Sequence, residues 1–213
     1  MLNIFTYNSY ENTINNFLKN NYYIGGFKKL ENNLKEKFLI LRHDIDFDIE
    51  KAREFAMFEN QLGIDSTYFF RPNGKFYNLL SPHTLNIINE VNSLGHEVGI
   101  HLEVNLFEKY EFEKLINELL EIFNKNLNLK IHSYSLHEPN RTGDKISHEN
   151  ICKKFGFSIG AYEDRFFKEI KYLSDSGGRW REGHFNEWVD KENKLQVLTH
   201  PIWWYREFPQ ENY

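Results

Sequence analysis

The chain of 213 residues is poor in the residues that staple, kink or anchor a protein: one cysteine, five prolines and two methionines. With Cys152 alone, an internal disulfide is impossible and a zinc site built from several thiolates of one chain is excluded. No apolar run approaches the length that spans a membrane. The start, Met1-Leu2-Asn3-Ile4-Phe5-Thr6-Tyr7-Asn8, lacks a basic segment followed by a continuous apolar one, so a cytoplasmic protein is expected. Basic residues are not in excess either. A net charge of -5 and no basic stripe argue against a nucleic-acid partner, because phosphate binding needs a positive surface. Nor is there a linker, and the length suits one domain with a sizeable core.

What the chain does have is aromatic residues, 16% of the total, and a repeating alternation of short β-rich runs with helical stretches. That alternation is the mark of an α/β fold with a mainly parallel sheet. Residues 1–37 are expected as an N-terminal helical extension packed on the domain, helical from Tyr10 to Asn20. Seven strands are predicted: Phe38 to His43, Ser66 to Arg71, Glu97 to His101, Lys130 to His137, Phe157 to Tyr162, Ile170 to Ser174 and Leu195 to His200. Asp48 is placed to cap the helix after the first strand, ended by Gly63, and Ser81-Pro82 opens the helix ended by Gly95. A long helix runs from about Phe107 to Asn126 and a short one from His148 to Phe155.

Nearly every strand delivers an ionisable residue at its C-terminal end: Asp44, Arg71, His101, His137, Glu163, Asp175 and His200. In barrels and open parallel sheets that edge is where a site assembles, since its loops converge on a ligand. The most informative of these ends is Phe38-Leu39-Ile40-Leu41-Arg42-His43-Asp44-Ile45-Asp46, an apolar strand running into ionisable residues. In extended backbone alternate side chains share a face, so Asp44 and Asp46 can converge on one atom, as a general base beside a metal ligand would.

These residues resemble the motifs of the NodB-like polysaccharide deacetylases, carbohydrate esterase family 4, over roughly Phe38 to Trp204. The first motif looks like that of a bacterial branch carrying Arg-His-Asp-x-Asp, often associated with surface-polysaccharide biosynthesis. Gly95-His96-Glu97-Val98-Gly99-Ile100-His101 is similar to the second, Ser135-Leu136-His137-Glu138-Pro139-Asn140 to the third with histidine in place of arginine, Asp175 to Trp180 to the fourth, and Leu195 to Pro201 to the fifth. The resemblance implies a distorted (β/α)7 barrel and a divalent metal, zinc before cobalt, manganese or nickel. It implies a hydrolase that removes an N-acetyl or similar acyl group from an amino sugar or glycan. On this reading Asp44 is the base, His200 the acid and Asp175 its orienting partner, with Asp46 and His101 as metal ligands.

The family's third ligand, four positions beyond His101, is replaced here by Asn105. His137 and Glu103 are the candidates for its place, with His137 preferred; alternatively, His137 contacts Asp44 as the family's arginine does. Arg71 and Arg141 are candidates for that arginine's electrostatic role and for binding substrate, and Trp180 and Trp203 for walling the groove, with Tyr162 and Trp204 as further sugar-stacking surfaces. His96 is expected to be structural. Two other functions remain open from sequence: a metal-poor amidohydrolase acting on a cyclic amide or ureide, and a barrel that binds glycans without catalysis.

Overall fold

The strand Phe38–Ile45 is buried at all eight positions, which requires cover on both faces, and the structure supplies it by curling one parallel sheet around the strand's inner face. In this computed structural model, which describes residues 4–31, 36–103, 110–139 and 147–212, all pairings among the named strands are parallel. The strands are β1 (Tyr23–Gly25), β2 (Phe38–Ile45), β3 (Thr67–Phe70), β4 (Glu97–Glu103), β5 (Ser133–His137), β6 (Ile159–Gly160), β7 (Lys171–Ser174) and β8 (Lys194–Thr199). Their order is β6-β5-β4-β3-β2-β8-β7, with β1 beside the first half of β2. This is the distorted seven-stranded barrel expected from the sequence. It is open between β6 and β7, and from within, Gln196 of β8 reaches towards that gap, donating to Ala161 O (3.2 Å) and Phe166 O (2.6 Å).

The eighth strand, β1, was not expected. It lies in the region read as a helical extension, between α1 (Tyr7–Lys19) and α2 (Phe27–Glu31), and at three residues it is too short to show a period. It pairs Tyr23 with Phe38 through Gly25 with Ile40, so this segment extends the sheet itself.

The remaining helices are α3 (Ile49–Gln61), α4 (Pro82–Ser93), α5 (Tyr110–Leu127), α6 (His148–Phe155) and α7 (Asp164–Phe167). Asp48 caps α3, accepting from Glu50 N at 2.8 Å, and Ser81 caps α4 ahead of Pro82. Period-two alternation along β2 sorts its side chains. Leu39 and Leu41 pack outward with Tyr10, Phe17, Phe55 and Trp204, while Ile40 points into the barrel with Phe27, Phe69, Ile159 and Phe166. The glycines of Gly95-His96-Glu97-Val98-Gly99 have separate reasons. Gly95 turns the chain at φ 95°, and a Cβ on Gly99 would lie 2.4 Å from the Phe69 ring inside the barrel. The interior is therefore plugged by side chains, and the ionisable residues Asp44, Asp46, His101 and His200 gather at its C-terminal rim.

Candidate active site and metal centre

The inward face of β2 continues from Ile40 to Arg42, Asp44 and, one residue past the strand, Asp46. Arg42 is fully buried beneath the rim. Its Nη2 donates to Asp44 Oδ2 (2.8 Å) and Tyr162 Oη (2.9 Å), its Nη1 to Gln196 Oε1 (3.3 Å), and its guanidinium lies 4.6 Å from the Tyr162 ring centroid. Burial alone would raise the Asp44 carboxyl, but Arg42, then His101 and His200, outweigh it and hold it below the ordinary carboxylate range.

His101, near the end of β4, points Nδ1 at Ser135 Oγ (2.5 Å) and Nε2 at Asp46 Oδ1 (3.4 Å). His137, the last residue of β5, brings Nδ1 to 3.2 Å from His101 Nε2 and 3.4 Å from Asp46 Oδ1. One ligand atom each from Asp46, His101 and His137 thus lie within 4.8 Å of one another. Asp46 Oδ1 is buried and accepts no hydrogen bond among the described residues, a costly state for a carboxylate oxygen unless something else meets it. Two imidazoles and a carboxylate converging on such an orphaned atom fit a divalent cation of the zinc type.

From the opposite side, β8 delivers His200. Its Nδ1 lies 2.6 Å from Asp175 Oδ1 and its Nε2 3.6 Å from Asp46 Oδ2. Asp175 is fully buried and its oxygens also accept from His200 N and from Trp204 Nε1 (3.0 Å). Burial would lower the imidazole, but Asp175, assisted by Asp44 and Asp46, raises it to about 9. At neutral pH His200 is therefore a cation with Nε2–H facing the site.

Other candidates fall outside this cluster. Arg71, at the end of β3, donates Nε to Glu103 Oε1 (2.8 Å) and Nη2 to the same oxygen, with Nη1 3.8 Å from Asp46 Oδ1. The pair ties Glu103 to Arg71, away from the two histidines, and leaves Arg71 a rim residue already engaged. Trp180 packs on Phe185 and His184 behind the sheet (5.3 and 5.4 Å between ring centroids). Trp204 is fully buried, and the Tyr162 hydroxyl and ring are both taken by Arg42, so neither offers a sugar platform. Trp203 does line a groove of about 460 Å³ with Phe47, Phe76 and Tyr77 beside the rim. Glu163 pairs with Arg165 and His148. Arg141 and Asn105 lie outside the described residues. A cavity of about 530 Å³ near Lys28, Glu97 and Lys130 sits at the N-terminal end of the strands, and none of the residues in the cluster lines it.

Arg42 and Ser135 were missed by sequence reasoning. Arg42 carried a legible signal, since the alternation that pairs Asp44 with Asp46 also puts Arg42 on their face. His43, on the other face, instead meets Thr199 Oγ1 (2.6 Å) and Glu59 Oε1 (3.0 Å) behind the sheet. His96 is likewise structural, buried with Nε2 against Ala56 O (2.9 Å).

No protein-family model matches the chain, and no curated protein matches it. Solved structures do. A polysaccharide deacetylase from Bacillus cereus superposes with a TM-score of 0.53 at 14% identity, over 78% of this chain and 80% of that one. The peptidoglycan deacetylase PdaC of Bacillus subtilis gives 0.51 at 11% identity, over 79% and 76%. A mutant of a family 4 carbohydrate esterase pseudoenzyme of Bacillus anthracis, with restored activity, gives 0.50 at 14% identity over 78% of this chain. The chain spans 57% of that protein's length. The fold is that of the NodB-like polysaccharide deacetylases, carbohydrate esterase family 4. Because this fold hosts working enzymes and a pseudoenzyme alike, the chemistry rests on the side chains.

Proposed function

We propose that the chain is a metal-dependent hydrolase that removes an N-acetyl or similar acyl group from an amino sugar, with a role in surface-polysaccharide biosynthesis. The observation that carries this reading is the orphaned Asp46 Oδ1, 3.4 Å from a nitrogen of both His101 and His137 and lying between a paired base and a paired acid. Asp46, His101 and His137 would hold a divalent ion, zinc by their donor types, which would polarise the scissile carbonyl and acidify a water.

The chain's own residues do the rest. Asp44, kept ionised by Arg42, accepts the proton of the attacking water. Held below the ordinary carboxylate range, Asp44 is unprotonated throughout the neutral range and free to accept a proton. His200, cationic at neutral pH, holds a proton on Nε2 and delivers it to the departing amine, while Asp175 fixes its ring through Nδ1. The two groups differ in protonation state because their neighbours differ: Asp44 faces a guanidinium and His200 a buried carboxylate. Phe47, Phe76 and Trp203 provide apolar ring faces against which a sugar can lie.

The test is metal analysis of the purified protein combined with a screen of N-acetylated amino sugars, free and oligomeric. Release of acetate that is lost on chelation, regained with zinc and abolished in Asp44→Asn is expected. No metal bound at saturating concentration would sink the reading.

A further inference from the structure

Ser135 has no role in the chemistry just described, yet its hydroxyl joins the two halves of the site. The β4–β5 register sets Ser135 directly beside His101, and Glu103 beside His137. Ser135 is fully buried, with Oγ 2.5 Å from His101 Nδ1 and 3.3 Å from Asp44 Oδ1. We propose that Ser135 is the positioning residue that fixes the tautomer of His101 and ties it to Asp44, so that Nε2 is presented bare to the Asp46–His137 side.

A count of protons decides between the two tautomers. Asp44 is ion-paired with Arg42 through Oδ2, and a carboxylate in that state has only lone pairs to offer at Oδ1. Ser135 can therefore bond Asp44 Oδ1 only by donating its single hydroxyl proton, and at 3.3 Å it is placed to do so. Having none left, it can only accept from His101, and the proton between them belongs to Nδ1. A neutral His101 then carries its lone pair on Nε2, the atom 3.2 Å from His137 Nδ1 and 3.4 Å from Asp46 Oδ1. The opposite tautomer would draw the hydroxyl proton to Nδ1, leaving Asp44 Oδ1 facing Oγ without it, and would turn Nε2–H into the place a ligand atom must occupy. An imidazole that ligates a metal depends in this way on the partner of its other nitrogen.

The inference rests on the proposed metal reading only for its second readout. The first is the nitrogen-15 NMR spectrum of histidine-labelled, metal-free wild-type protein, read on the neutral form of His101. It should show the Nδ1–H tautomer, and an Nε2–H ring there overturns the proposal with no variant involved. The second is zinc affinity by chelator competition: Ser135→Ala should bind about 10- to 100-fold more weakly and Ser135→Thr, which keeps the hydroxyl, should recover most of the loss. Zinc binding by Ser135→Ala as tight as wild type also overturns it. Should the wild type bind no zinc, the metal reading fails, and the metal-free spectrum still decides the part played by Ser135.

Discussion

Arg42 Nη2 lies 2.8 Å from Asp44 Oδ2, two residues along one strand, and both side chains are buried on the inner face of the barrel. The contact makes the charge of Asp44, the proposed base, a local property of β2. Removing the guanidinium strands a buried carboxylate, so Arg42→Gln should lose about 3–5 kcal/mol of stability. In the folded fraction the acid limb of the pH–kcat/KM profile should move to higher pH, because Asp44 then ionises later. Arg42→Lys keeps a charge but cannot also reach Tyr162 and Gln196 as the fork does, and should fall between the two. An unmoved acid limb in Arg42→Gln would show that Asp44 is not the group titrating in catalysis.

At the other end of the site, Asp175 raises His200 to about 9 against an ordinary 6.5. In the proposed role of acid His200 would act when protonated, so activity should fall as pH rises through the upper value. Asp175→Asn removes the principal raising partner, and the basic limb should shift down towards the ordinary value, with kcat reduced more than KM is changed. His200→Ala should lower kcat by about 10²- to 10⁴-fold. If the basic limb stays in place in Asp175→Asn, a group other than His200 supplies the proton.

The fold was legible because barrel strands have strong local signatures: Phe38 to Ile45 and Leu195 to Thr199 are apolar runs with an ionisable residue at or just past the end. β1 was not, since Tyr23–Gly25 is fixed by pairing with β2 and has no pattern of its own. In the site, residues at strand ends were visible singly, as with Asp46, His101 and His200. What pairs with what was not. That Arg71 is bound to Glu103, and that Trp204 serves Asp175 from inside the core, follow from strand register and packing that no spacing in the sequence encodes.

Behind the sheet, Glu59 is a buried carboxylate whose Oε2 accepts from Ser66 Oγ (2.6 Å) and Tyr68 Oη (2.9 Å), and whose Oε1 accepts from Tyr10 Oη and faces His43 Nε2 (3.0 Å). Burial would raise its pKa, but His43 leads the groups that outweigh it and lower it from 4.5 to about 2. The folded value is depressed, so the stabilisation is fully present above the unfolded value and is lost as pH falls through the folded one. A difference of that size corresponds to roughly 3 kcal/mol at neutral pH. Urea denaturation of Glu59→Gln should show a loss of that order at neutral pH, shrinking as the pH is lowered towards 2. A gap between the two proteins that does not vary with pH would mean that Glu59 contributes through shape and not through charge.

Two substitutions decide the third ligand of the proposed metal site. His137 presents Nδ1 to the same oxygen of Asp46 that His101 faces, whereas Glu103 lies against Arg71, whose charge disfavours moving the carboxylate to a cation. His137→Ala removes a ligand atom, and its zinc affinity should fall by more than the roughly 10- to 100-fold that an outer residue costs. Glu103→Gln should bind zinc nearly as wild type, because the glutamine oxygen can still accept from Arg71 and keep its guanidinium in place, while Asp46, His101 and His137 are untouched. The reverse order of effects would move the third ligand to Glu103 and leave His137 beside the site as a proton carrier. Competition with a chromophoric chelator separates the cases without any substrate, so the answer does not depend on the proposed activity.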